Sequence, residues 1–141
     1  VMVRTTHEVD ISNSERATMM NEKKVDFCLR IHANGSTNAS VKGALMLVPS
    51  GRITRDIQPA SYKAAEIIYK SFLKETGAKD GGMSYRSDLT GFNWSTVPVC
   101  LIEMGYMSNA DEDKLLASPA YQEKCAKGLA DGILEWYRTV K

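Results

Sequence analysis

A histidine and a glutamate each follow an apolar run, and together they could bind a metal ion and hydrolyse a polar bond. His32 closes the run 25–31, and Glu103 follows the run 97–102. Neutral imidazole is the commonest protein ligand for zinc. A carboxylate beside a metal-bound water can act as general base and then return the proton to a leaving amine. Because the chain has only two histidines, the role of His32 bears directly on function.

Each residue also has a plainer interpretation. A histidine at a strand end is more often a hydrogen-bonded structural residue than a ligand. Glu103 is harder to explain in this way, because a carboxylate directly after Val-Cys-Leu-Ile is costly to bury unless it is paired. Spacing alone therefore favours a functional role for Glu103 more strongly than a metal-binding role for His32.

The elements that must position these residues alternate between strand and helix. Apolar patterns predict strands near 1–6, 25–32, 42–48 and 97–102, and helical spacing predicts helices over 12–23 and 60–76, near 111 and from 119 onward. Capping-box spacing of Ser12 and Glu15 supports the first helix, and Gly77 is placed to end the second. The alternation predicts one α/β domain, with a mostly parallel twisted sheet flanked by helices in three α/β/α layers.

A parallel sheet has a direct consequence for His32 and Glu103. Strands that run the same way end at one edge of the sheet, and ligands bind at that edge. Both residues lie at the carboxyl end of their predicted strand. We therefore expect the imidazole and the carboxylate to lie side by side.

Composition excludes several classes of protein. A net charge of +1 gives no reason to expect nucleic acid as a partner, and no apolar run is long enough to span a bilayer. The three cysteines form no CxxC pair, and their odd number argues against a fold built on disulfides. The chain begins with valine inside a predicted strand, so we expect it to be part of a longer protein.

Two long blocks of this sequence resemble the zinc-dependent N-acetylmuramoyl-L-alanine amidases, the family of autolysins, cell-wall amidases and phage endolysins. The first block is SERATMMNEKKVDFCLRIHAN, residues 14–34, in which a helical Arg-Ala precedes a strand that ends in Ile-His-Ala-Asn. The second is VPVCLIEMGYMSNADEDKLLASPAYQEKCAKGLADGI, residues 97–133. The resemblance extends over about residues 1–137.

The resemblance implies a function and a set of roles. It implies a secreted hydrolase of the cell wall (or of the periplasm in a Gram-negative cell) that cleaves the amide bond between N-acetylmuramic acid and L-alanine of the peptidoglycan stem peptide. His32 is similar to a zinc ligand and Glu103 to the catalytic glutamate. Asn34, Ser108 and Asn109 resemble residues that support the site or bind substrate.

Two departures from the family pattern qualify this interpretation. The family's other zinc ligands, a histidine in a Gly-His-Gly-Gly-like loop and a helical glutamate, have no counterpart here, and His7 does not match the former. We therefore expect 1–141 to be a catalytic domain that lacks its N-terminal portion, the first strand and helix, with that portion as a candidate partner. Since zinc takes three protein ligands, the chain alone should bind it weakly and hydrolyse little. The second departure is Arg30, which stands where serine is usual and either is a surface variant or alters the approach to the metal.

Other functions stay open on the sequence. The strongest is a non-catalytic module that binds peptidoglycan or a partner subunit, because ligands are missing. A flavodoxin-like binding domain lacks support, since no Gly-rich phosphate loop is present. A serine or cysteine hydrolase is weaker still, because there is no GxSxG motif and neither Cys28 nor Cys100 has an identified base.

Overall fold

The structure is a computed structural model that describes all residues, 1–141. It contains, in chain order, α1 (Asn13–Glu22), β1 (Cys28–Asn34), β2 (Ala44–Pro49), α2 (Gln58–Thr76), β3 (Asp80–Arg86), α3 (Thr90–Asn93), β4 (Val99–Tyr106), α4 (Ala110–Leu116) and α5 (Pro119–Val140). None of the helices combines the length and the apolar character needed to cross a membrane.

The four strands form one sheet in the order β1-β4-β2-β3. The β1–β4 and β2–β3 pairs are parallel, whereas β2 and β4 are antiparallel. Helices cover both faces, so the predicted three-layer α/β/α arrangement with a mostly parallel sheet is confirmed. Because β2 runs antiparallel to β4 and β3 runs parallel to β2, only β1 and β4 have their carboxyl ends at the same edge of the sheet. His32 and Glu103 lie towards these ends.

The two faces of the sheet are packed differently. The larger core joins the sheet to α2 and α5 and includes Ile68, Phe72 and Ile102. The two helices approach closely, because a Cβ on Gly132 would lie 2.7 Å from the Cα of Ile68. The other face carries a smaller cluster around Phe92 of α3. The thinner cover on this second face leaves room for a cleft.

Several local predictions need correction. The predicted strand at 1–6 is wrong: these residues have no regular structure, and Val1 and Met2 are largely exposed. A strand without a neighbour to pair with is not stable. Conversely, the Gly, Ser, Asp and Asn content of residues 78–96 predicts an irregular segment with at most a short strand, yet residues 80–86 form a full strand, because pairing with β2 outweighs their weak strand propensity.

One buried tyrosine fixes the join between β2 and β3. The Tyr69 hydroxyl lies 2.7 Å from the Ala44 carbonyl oxygen and 2.8 Å from Oδ1 of Asp80. It also accepts hydrogen bonds from the N–H groups of Gly81 and Gly82. Burial, followed by the hydrogen bond to Asp80, raises the pKa of Tyr69 to about 12. The neutral phenol is therefore the form that stabilises the fold.

Replacing Tyr69 with phenylalanine should destabilise the protein and change its response to alkali. Loss of these hydrogen bonds should lower the free energy of unfolding by about 1–3 kcal/mol at pH 7. In the wild type the unfolded tyrosine ionises near pH 10 and the folded one near pH 12. Stability from this group is therefore complete below pH 10 and is lost as pH rises towards 12. Urea denaturation between pH 7 and 12 should show a shallower alkaline loss in the variant. An equal loss of stability at alkaline pH in the wild type and in Tyr69→Phe would contradict this assignment. The control is Tyr85→Phe, which replaces an exposed tyrosine.

Candidate active site

A cleft opens on the thinly covered face of the sheet and contains both residues singled out from the sequence. Strand residues form its floor, and residues from α1, β3 and the α3 region form its walls. The lining comprises Asn13, Arg30, His32, Asn34, Leu45, Leu47, Arg86, Leu89, Thr90, Gly91, Phe92, Leu101 and Glu103. The cleft therefore brings the imidazole of His32 and the carboxylate of Glu103 into one concave region.

His32 and Glu103 occupy facing positions on neighbouring parallel strands. The register of β1 against β4 pairs His32 with Glu103. Adjacent strands lie ~4.8 Å apart, so the two backbones hold these side chains next to each other. Both strands continue past the pair, and the register shifts directly beyond it, where Asn34 pairs with Tyr106. Such irregularities often occur beside active sites, because they redirect side chains.

The Glu103 carboxylate is desolvated and lacks a hydrogen-bond partner at one oxygen. Its Oε2 atom is buried and makes no hydrogen bond. Burial also raises the pKa of the Glu103 carboxyl above its ordinary value. A carboxylate in this state is a better proton acceptor than an exposed one, since its pKa lies closer to neutral pH. The arrangement suits a general base.

His32 is half-buried and is held in its neutral form. Burial is the main cause that lowers the pKa of the imidazole, and the positive charges of Arg30, Arg16 and Arg4 lower it further. A neutral imidazole retains the lone pair that a metal ion or a proton requires. His7, in contrast, lies in the exposed N-terminal segment, where its side chain is 95% exposed and only approaches Glu8.

The three proposed support residues occupy two different kinds of position. Asn34 lines the cleft, and its Oδ1 accepts a hydrogen bond from the N–H of Gly35. Ser108 and Asn109 lie outside the lining. The Ser108 hydroxyl accepts a hydrogen bond from Ser36, while Asn109 caps α4. The latter two therefore hold the loops that follow β1 and β4 rather than face the cleft.

Sequence reasoning missed several cleft residues. Asn13 and Gly91 come from two separate elements, and no spacing in the sequence links them to His32. Outside the lining, the Glu112 carboxylate accepts hydrogen bonds from the backbone N–H groups of Tyr106 and Gly43, contacts that the sequence does not indicate. It thereby ties α4 to the end of β4 and to the start of β2.

The donors present match zinc in kind but not in number. His32 is the only imidazole in the cleft, and no three His, Cys, Asp or Glu side chains converge anywhere in residues 1–141. Zinc sites in catalysis take three protein ligands and leave a fourth position open. The cleft therefore offers one imidazole nitrogen and one adjacent carboxylate with an unpaired buried oxygen.

Comparison with known proteins places this chain in a family. The N-acetylmuramoyl-L-alanine amidase family matches residues 1–135. An N-acetylmuramoyl-L-alanine amidase of Bacillus subtilis is 27% identical over 128 residues, which are 90% of this chain and 25% of that protein. The endolysin of Bacillus phage SPP1 is 27% identical over 137 residues, 96% of this chain and 49% of the endolysin. The chain thus spans between about a quarter and just over half of the length of the curated relatives it matches.

Solved structures agree with the sequence match. The catalytic domain of the amidase CwlV from Bacillus (Paenibacillus) polymyxa superposes with a TM-score of 0.82 at 30% identity, over 95% of this chain and 69% of that domain. A family match over nearly the whole sequence and a shared fold lead to the same result. The chain belongs to the N-acetylmuramoyl-L-alanine amidase family.

Proposed function

We propose that this chain carries the general base of a peptidoglycan amidase that hydrolyses the bond between N-acetylmuramic acid and L-alanine of the stem peptide. The observation that carries the proposal is the unpaired, buried Oε2 of Glu103 beside the imidazole of His32 in an open cleft. Family membership supplies the substrate class, since the relatives are named for this activity.

Glu103 has two tasks in the proposed reaction. Its carboxylate removes a proton from the attacking water and then delivers that proton to the amine of L-alanine as the C–N bond breaks. The products are the free lactyl carboxylate of the muramic acid and a stem peptide with a new amino terminus. The apolar floor from Leu45, Leu47 and Leu101 limits water around the carboxylate and strengthens its basicity.

His32 is the residue proposed to hold zinc. When bound, zinc polarises an amide carbonyl and lowers the pKa of a coordinated water. In this proposal His32 supplies one ligand, and the two further ligands that the family resemblance implies belong to the N-terminal portion of the domain. We accordingly propose that 1–141 forms part of an amidase catalytic domain whose completing N-terminal portion is its partner. Asn34, Ser108 and Asn109 support the loops around the site.

The cell wall is the proposed place of action. Peptidoglycan, the partner implied by the family, lies outside the cytoplasmic membrane, and one relative is named a cell wall amidase of Bacillus anthracis. A secreted protein that acts there, or in the periplasm of a Gram-negative cell, fits the proposed substrate.

A second candidate function is binding without cleavage. The observation in its favour is the incomplete ligand set, since only His32 offers an imidazole in the cleft. In that case the cleft would bind a muramoyl peptide, or a partner subunit, and release nothing.

Digestion of purified cell-wall sacculi distinguishes these functions. The complete domain proposed above, residues 1–141 together with its N-terminal portion, should release stem peptides with a free L-alanine amino group when zinc is added, detected by mass spectrometry, and no new reducing sugar ends, whereas residues 1–141 alone should release little. Sedimentation with the sacculi without release would support the binding module instead. Absence of both binding and release would contradict both proposals.

A further inference from the structure

Arg30 places a positive charge on the strand floor of the cleft. It lies on β1 two residues before His32, so both side chains lie on the same face of the strand. The residue is half-buried and lines the cleft together with His32 and Glu103. Burial lowers the pKa of Arg30, but a guanidinium remains charged at neutral pH.

The Arg30 charge has little compensation within the protein. The guanidinium donates one hydrogen bond, to the neutral amide oxygen of Asn13. No carboxylate lies within 4.0 Å of it, whereas the other arginine of the cleft, Arg86, forms a two-pronged ion pair with Asp88. An arginine has five N–H donors, so most of those on Arg30 are unused. Arg16 and Arg4 add positive charge around the same place.

A glycine makes room for this guanidinium. A Cβ on Gly91 would lie 2.4 Å from Nη1 and 2.6 Å from Cζ of Arg30. Any side chain at position 91 would therefore push the guanidinium out of its position. The planar group packs against the backbone of α3 at the wall of the cleft. Asn13 on one side and Gly91 on the other define where the group lies.

We propose that Arg30 is a specificity-determining residue that binds a free carboxylate of the stem peptide in the cleft beside His32 and Glu103. The inference rests on the proposed function, because it assumes that a muramoyl peptide occupies this cleft. A planar guanidinium with free donors pairs with a carboxylate through two parallel hydrogen bonds, and amidation of that carboxylate removes the charge and one acceptor. The protein would therefore prefer stem peptides with free carboxyl groups over amidated ones.

The test measures the affinity for two soluble N-acetylmuramoyl peptides that are identical except that the peptide carboxyl groups are free in one and amidated in the other. Calorimetric titration in EDTA prevents cleavage. We expect the wild type to bind the free acid about 10- to 100-fold more tightly than the amide. Arg30→Gln and Gly91→Ala should each bring this ratio close to one. The exposed Arg138→Gln, which changes charge equally but lies in α5, should keep the wild-type ratio.

The outcomes separate this inference from the proposed function. If Arg30 only anchors α1 through Asn13, its replacement weakens both peptides equally and the ratio persists, which would overturn the inference. Equal binding of both peptides by the wild type would also overturn it, while leaving the amidase proposal intact. If neither peptide binds, the proposed function is wrong and this inference falls with it.

Discussion

Replacing Glu103 with glutamine is expected to lower the rate of amide cleavage by about 10²–10⁴-fold, the usual contribution of general acid–base catalysis. Glutamine has the same shape as glutamate but cannot accept the proton of the attacking water. Single-turnover release of stem peptide from sacculi by the complete domain proposed above, at saturating zinc, measures the effect. The variant should still sediment with sacculi as the wild type does, because the cleft keeps its shape.

Two controls make the result specific to the carboxylate. The exposed Glu135→Gln, in α5, removes the same charge away from the cleft and should leave the rate unchanged. The stability of the variant is the second control, because Oε2 of Glu103 makes no hydrogen bond that the substitution could remove. The urea midpoint of Glu103→Gln should be unchanged or raised. Release at the wild-type rate by Glu103→Gln would show that another group is the base.

Removing the imidazole should act on metal binding. His32→Ala should lower zinc affinity by more than the roughly 10–100-fold that loss of an outer-shell partner costs. The physical reason is that alanine leaves the cleft without a nitrogen ligand. Equilibrium dialysis against zinc, followed by elemental analysis, measures the bound metal directly.

The second histidine is a matched control for this experiment. His7 has an exposed side chain outside the cleft, so His7→Ala should bind zinc like the wild type. If His7→Ala instead loses the metal while His32→Ala keeps it, zinc bound by this chain lies at the N-terminal segment and the assignment of His32 is incorrect.

The main elements of the fold were predictable because their signals are local. The capping box of Ser12 and Glu15 begins α1, and Gly77, at φ 69°, ends α2 as a left-handed cap. Such features depend on a few neighbouring residues and on the regular spacing of apolar residues along the sequence. The false strand at 1–6 failed for the opposite reason, since strand stability depends on a partner that local sequence does not specify. The antiparallel β2–β4 pairing, likewise, is a property of the whole sheet.

The candidate site was predictable only in part. The sequence indicated His32 and Glu103 because both follow apolar runs, and the β1–β4 register places them opposite each other. The surroundings of the pair could not be inferred. Gly91 accommodates Arg30 across 61 positions of sequence, and no periodicity relates them. The missing hydrogen bond at Oε2 of Glu103 could not be inferred either, because it depends on which donors the other elements place around the carboxylate.

The most direct test of the shared site is a zinc titration followed by NMR of the two imidazoles and of the side-chain carboxyl carbon of Glu103. The account predicts that the His32 nitrogens and the Glu103 carboxyl respond together, with one common dissociation constant, at lower zinc concentrations than His7. A zinc response at His7 alone, or a His32 response that leaves Glu103 unaffected, would contradict the account.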